Sequence, residues 1–157
     1  MNTQRQHPAP LWAILTILAC AWMLHSCEPA RAEVSEVVLQ TIAMESADQP
    51  FGGQVAVAQV LLNRARLRGT SPEVEALRPK QFSCWNDPKW AQEWLDSHFS
   101  EATRHKAKKA LKMASTPDFL KFNRLSHYHH VSIKPYWAIG HTPSLVIGSH
   151  AFYEGIK

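Results

Sequence analysis

Residues 42–64 leave this chain few ways to fold. They carry a carboxylate, Glu45, at the end of one amphipathic helix, then a break around Pro50, then a segment that is apolar almost all round. Upstream, Val34, Val37, Val38, Thr41 and Ile42 recur at helical spacing in a helix that reads from Glu33. Continuing that face at about 100° per residue brings Glu45 onto its middle, with Asp48 on the same face. Pro50 disfavours helix at Gln49, and Gly52 and Gly53 supply a flexible turn. A second helix then starts at Gly52 or Gly53. In it Val55, Ala56, Val57, Ala58, Val60, Leu61 and Leu62 cover most of the circumference. A helix that apolar is the central helix of a small domain. Its polar residues Gln54, Gln59 and Asn63 must find partners or line a cleft.

A carboxyl on an inward helix face needs a reason. Burial disfavours the charged form of such a group, and so does the negative end of a helix dipole, which suits a general acid. The competing explanation is structural: a pair with Arg64 or Arg66, or with a backbone donor.

The order of short blocks along the chain narrows the choice. Met44-Glu-Ser-Ala-Asp-Gln-Pro50 is followed by Gly53-Gln-Val-Ala-Val-Ala-Gln-Val-Leu-Leu-Asn-Arg64. Then come Gln81-Phe-Ser83, His127-Tyr-His129, Pro135-Tyr-Trp137 and Ile147-Gly-Ser-His-Ala-Phe-Tyr153. This succession, over residues 38–153, resembles the SleB/CwlJ-type cell wall hydrolases, which cleave peptidoglycan. The resemblance implies a mainly α, lysozyme-like domain with a short extended segment near Tyr128. It implies cleavage of glycan strands with Glu45 as the acid. It also implies a cleft lined by the Gln81–Ser83 segment and by Tyr128 with its flanking histidines. Gln49 stands where an acidic residue often precedes the proline in such sequences, which weakens any case for a second carboxylate there.

The N-terminus reads as an address. Residues 11–24 are almost wholly apolar, short for a membrane span and right for a signal-peptide core, and Ala30-Arg-Ala32 offers a small-x-small cleavage site. Residues 1–32 are therefore a secretory signal and 33–157 the catalytic domain. Two other fates are open for residues 11–27: an uncleaved anchor, or lipidation at Cys27. Each places the domain in the periplasm or cell envelope. Removing 1–32 takes away Cys20 and Cys27 and leaves Cys84 alone, so the core holds without a disulfide, and Cys84 is a small buried hydrophobe. The chain carries +4, of which Arg5 and Arg31 against Glu28 put +1 in the signal. Mild positive charge aids encounter with an anionic wall and is too weak to argue nucleic acid binding.

In the middle, Gly69 ends the second helix, and Ser71-Pro72-Glu73 starts a short one reaching about Leu77. Residues 80–88 form a loop in which exposed Phe82 and Trp85, beside Gln81 and Asn86, would make a sugar platform; two core aromatics under a loop are the alternative. Residues 88–114 read as one long helix capped by Asp87, with Ala91, Leu95, Phe99, Ala102, Ala110 and Met113 on one face. The basic run Arg104-His-Lys-Ala-Lys-Lys109 is a solvated face or a wall contact. Residues 119–124 are ambiguous, and 144–147 read as a short strand.

The histidines concentrate late. His127 and His129 alternate on an extended segment, so both side chains can point one way, as a zinc peptidase would require. No spaced acidic ligand accompanies them, and the expectation is no metal and no cofactor. The resulting assignment has Glu45 as general acid and base in lytic transglycosylation, with muramidase-type hydrolysis possible. Gln54, Gln81, Phe82, Tyr128 and His129 bind substrate, and Asp48, His150 and Tyr153 support the site. The partner is the peptidoglycan strand, and the protein is a monomer. The rival readings are the zinc peptidase and a non-catalytic wall-binding module.

Overall fold

The computed structural model describes residues 34–117 and 124–156. The N-terminal segment and residues 119–123 of the ambiguous stretch fall outside the described residues. The expected mainly α class with one small extended region is borne out. Among the described residues five α-helices, α1 (Glu36–Glu45), α2 (Phe51–Arg68), α3 (Pro72–Ala76), α4 (Pro88–His98) and α5 (Glu101–Ala114), precede a three-stranded sheet. Its strands are β1 (Leu125–His130), β2 (Leu145–Ile147) and β3 (His150–Glu154), all antiparallel, with β3 central. Among the described residues no helix is long and apolar enough to cross a membrane.

Helix α2 is the axis, as its composition dictates. Val57, Ala58, Val60 and Leu61 are fully buried, and at roughly 1.5–3 kcal/mol for each large side chain this stretch anchors the fold. One flank meets α1, α3 and α5, joining Val55, Ala58 and Leu61 to Leu39, Ile42, Ala107 and Ala110. The other flank meets the sheet, where Ala56, Val57 and Val60 pack on Leu125 and Phe152. Two polar residues of α2 tie it to the sheet: Asn63 donates to the Leu125 carbonyl (2.9 Å) and Arg64 to that of Ser126 (2.6 Å). Gln59 donates to Asn63 Oδ1 (3.4 Å), and its buried Oε1 has no partner among the described residues. The β1–β3 register slips between Leu125 and His127, and such an irregularity releases carbonyls from the ladder for α2 to use.

Several local expectations are corrected. Helix α1 stops at Glu45, and Ser46, Ala47 and Asp48 form a turn, so Asp48 leaves the helix face and is exposed. The reversal is made by this turn and Pro50. Gly52 and Gly53 lie inside the first turn of α2, where the Gly53 and Gln54 amides donate to the Pro50 carbonyl. Gln49 then fastens the turn to the β2–β3 hairpin: its Nε2 donates to Ser149 Oγ (2.6 Å) and its Oε1 accepts the Ser149 amide (3.0 Å). At the hairpin, Gly148 has φ +57, and a Cβ there would meet Gln49 Oε1 at 2.5 Å and Pro50 Cδ at 2.7 Å.

The single helix expected over 88–114 is two. Phe99 leaves helical geometry (ψ 65), and Ser100 caps α5 by accepting the Thr103 amide (3.2 Å), while Thr103 Oγ1 donates to the His98 carbonyl (3.0 Å). The break re-phases the second half, so Ala102 is exposed and Ala107, Ala110 and Ala114 face the core. The expected caps Gly69, Ser71 and Asp87 are in place.

Candidate active site

Glu45 is the last residue of α1, half-buried, and three donors converge on its carboxylate. Oε1 accepts the Cys84 amide (2.8 Å) and the Ser83 hydroxyl (3.1 Å), and Oε2 accepts the Tyr128 hydroxyl (2.6 Å). Of the structural partners considered for it, the backbone donor is present, as the Cys84 amide. Two separate walls hold it: the 81–87 loop on one side and β1 on the other.

The loop is aimed by its aromatics, and here the sugar platform is corrected. Phe82 is 1% exposed, a core residue with the Arg64 guanidinium 5.2 Å over its ring. Trp85 packs on the same core and its Nε1–H donates to Thr41 Oγ1 (2.9 Å). With Phe82 and Cys84 buried, Ser83 between them points outward, toward Glu45. Local spacing shows such an alternation but not which half faces the core. Cys84 is the buried hydrophobe expected, and burial with the nearby Glu45 pushes its thiol far up, out of nucleophilic reach.

Arg64 coordinates the two walls. Buried in α2, it donates to the Ser126 carbonyl of β1 (2.6 Å) and to the Gln81 carbonyl of the loop (2.9 Å). It thus sets the separation of Tyr128 from Ser83. Tyr128 itself stays protonated, because burial and then the Glu45 carboxylate raise its phenol well above the usual range. A phenol in that state can only donate to a carboxylate.

Glu45 lies where two cavities meet, sharing Glu45, Ser83, Asn86 and His150 as common lining. One, about 400 Å³, adds Met44, Asp87 and Trp90. The other, about 440 Å³, adds Arg64, Lys80, Gln81, His127, Tyr128, His129 and Trp137. The two adjoin at these shared residues and make a two-lobed cleft, with Glu45 lining both lobes. Of the expected substrate-binding residues, Gln81, Tyr128 and His129 line it. Gln54 does not: it is buried, and its Nε2 donates to the carbonyls of Ser46 (3.3 Å) and Gln49 (3.4 Å), clamping the turn, beside a different cavity.

The supporting residues also sort themselves. His129, expected to bind substrate, has both ring nitrogens engaged: its Nδ1 meets the His130 carbonyl (2.8 Å) and its Nε2 the Tyr153 hydroxyl (2.9 Å). Donation from Nδ1 to the carbonyl makes Nε2 the acceptor from Tyr153. His150 packs against Tyr128 (centroids 5.1 Å apart), and its Nδ1 is buried without a partner, so Nε2 is the nitrogen available to the cleft it lines. Asp48 lines neither cavity; the Gln49 amide bonds its carboxylate (2.7 Å) and lowers its pKa. Ser83, Arg64, Lys80, Asp87, Trp90 and Trp137 carry no site role of their own in the sequence. Ser83, Arg64 and Trp137 sit within quoted blocks, and Lys80, Asp87 and Trp90 have no signal pointing to a cleft.

The histidine pair does share a face of β1, both rings packing on Trp137 (centroids 5.1 and 5.5 Å). Three of their four ring nitrogens are engaged: His127 Nδ1 meets Ser126 Oγ (3.0 Å), and both nitrogens of His129 are bonded. Among the described residues no group of three or more His, Cys, Asp or Glu side chains has a metal-binding arrangement.

A family model described as Cell Wall Hydrolase matches residues 48–153, which takes in the loop donors, β1 and β3 and begins just after Glu45. No curated protein and no solved structure matches the chain significantly.

Proposed function

The chain belongs to the Cell Wall Hydrolase family, and we propose that it cuts the glycan strands of peptidoglycan as a lytic transglycosylase with Glu45 as acid and then base. The observation that carries this reading is the carboxylate gripped by Cys84, Ser83 and Tyr128 where the two lobes of the cleft adjoin. A strand lying across both lobes brings one glycosidic oxygen beside Glu45. The protonated carboxyl gives its proton to that oxygen as the anomeric carbon–oxygen bond breaks. The resulting carboxylate, now favoured by three donors, takes the proton of the muramic 6-hydroxyl while its oxygen bonds the anomeric carbon. The product is a 1,6-anhydro sugar, and no water is consumed.

The choice against hydrolysis rests on the carboxylate count. A water-using glycosidase works with two carboxylates flanking the bond. Asp48 is outside the cleft. Asp87 lines one lobe, but its Oδ1 caps α4 by accepting the Lys89 and Trp90 amides (3.0 and 3.1 Å). In this reading residues 1–32 direct export to the envelope, where the substrate lies, and the protein works as a monomer.

The test is mass spectrometry of purified peptidoglycan digested with the protein and with Glu45→Gln. Anhydro-muropeptides from the wild type, reduced at least about 100-fold in the variant, are expected, since a positioned acid contributes roughly 10²–10⁴-fold. Hydrated reducing ends would make the enzyme a hydrolase and Asp87 the second carboxylate to examine. Cut peptides with intact sugars would overturn the reading.

A further inference from the structure

The two lobes of the cleft differ in charge. The lobe containing Trp137 is lined by Arg64, Lys80 and four histidines, His127, His129, His130 and His150, and its single acid is Glu45 at the shared end. Neutral sugars give no reason for such a lining. Arg64 donates to two backbone carbonyls, and among the described residues it makes no ion pair, though Glu75 and Glu45 lie near enough to act on its charge. The positive field is felt by His127, whose pKa is brought down to about 4 by burial and then by Arg64 and Arg68.

Lys80 stands out within this lining. It is exposed, and among the described residues its ammonium has no ion pair or hydrogen bond. Its backbone is at φ +63, and among the described residues it is the one non-glycine in the left-handed region. The tight turn that holds it there is closed by the Gln81 amide donating to the Arg78 carbonyl (3.2 Å), and Gln81 is tied in turn to Arg68 and Arg64. A left-handed lysine is disfavoured where glycine or asparagine would serve, and such strain concentrates at sites of function.

The charge on a peptidoglycan strand resides in the peptides carried on the lactyl groups of muramic acid, which bear free carboxylates. We propose that the Lys80 side of the cleft binds this acidic peptide, with Lys80 pairing to one of its carboxylates, so that the enzyme selects peptide-bearing strands over bare ones. This rests on the glycan-cleavage reading above and adds the feature of the strand that is recognised.

The test uses the full chain and soluble glycan strands of matched length, freed of phosphate-containing wall polymers, either with peptides or stripped of them by an amidase, the lactyl carboxylates so exposed then being capped as amides. The wild type should favour peptide-bearing strands about fivefold in kcat/KM, the scale of one solvent-exposed ion pair. In Lys80→Asn, which suits the left-handed backbone, that ratio should fall close to one through KM, and Lys80→Arg should keep it. Equal cleavage of both strands by the wild type, or an undiminished ratio in Lys80→Asn, would overturn the inference. Absence of sugar cleavage in either strand would instead sink the glycan-cleavage reading. Binding of the two strands to Glu45→Gln, followed by tryptophan fluorescence with and without Lys80→Asn, reads the same preference without any turnover.

Discussion

Tyr128 shows what a single hydroxyl contributes here. Its bond to Glu45 Oε2 is charge-assisted, and the phenol is held protonated by its surroundings. Tyr128→Phe keeps the ring packing on His150 and Phe152 and removes only the donor. A hydrogen bond to a charged group is worth about 1.5–3 kcal/mol, so kcat should fall roughly 10- to 100-fold with KM little changed. Steady-state kinetics on soluble strands checks this, and a change confined to KM would contradict it. His127 makes a different prediction. Its folded pKa, about 4, lies below its unfolded value near 6.5. Between those values the unfolded chain binds the extra proton, so stability falls as pH drops from 6.5 through 4. Thermal unfolding across that window should show the loss, and His127→Gln should lessen it, the remainder including His150, whose pKa burial also lowers. Glu45 was legible as a candidate because a carboxyl at an inward helix end is conspicuous. Its three donors were not, because each comes from a segment far away in sequence. Phe82 was misread for the same reason: an aromatic in a loop looks alike whether it meets sugar or core.

At the scale of elements, the site depends on how α2 ties the loop to the sheet. Arg64→Leu would leave the Gln81 and Ser126 carbonyls without that donor, at about 1–3 kcal/mol each if they stay buried and unpaired. Urea denaturation should show the loss of stability, and activity measured below the transition should fall as well, since both walls lose their spacing. The α1–α2 turn is fixed from outside by the β2–β3 hairpin. Gly148→Ala forces a side chain into the left-handed region and against Gln49 and Pro50, so it should destabilise by more than about 1 kcal/mol in the same assay. The helices themselves were readable from apolar spacing, and the caps at Gly69, Ser71 and Asp87 from residue type. The split between α4 and α5 was missed because Ser100 interrupts a face whose alanines fit either phase. Asp48 was misplaced because the periodicity of α1 was carried past its end, and no local rule says that Ser46 turns the chain one residue after Glu45.

Taken whole, the molecule places its two cleft tryptophans in different lobes, both of which Glu45 lines. Trp90 belongs to α4 and is 44% exposed in one lobe; Trp137 follows β1 and lines the other with His127 and His129. An aromatic face takes the CH groups of a sugar ring, and such contacts are worth about 0.5–1.5 kcal/mol each. Trp90→Ala touches only the first lobe and Trp137→Leu only the second. Trp137 also meets Tyr153 edge-on (5.3 Å), so its variant needs a thermal-melt check that the sheet is intact. If one strand spans the whole cleft, each substitution should raise KM about two- to tenfold, and the double variant should show the product of the two, as for sites with no shared partner. Short saccharides that fill one lobe should respond to a single tryptophan. A long strand whose KM responds to one tryptophan alone would mean that substrate occupies only that lobe, and that the enzyme trims ends. A multiplicative double variant means that the bond being cut lies between two held segments of chain, so cleavage is internal and the first products are long.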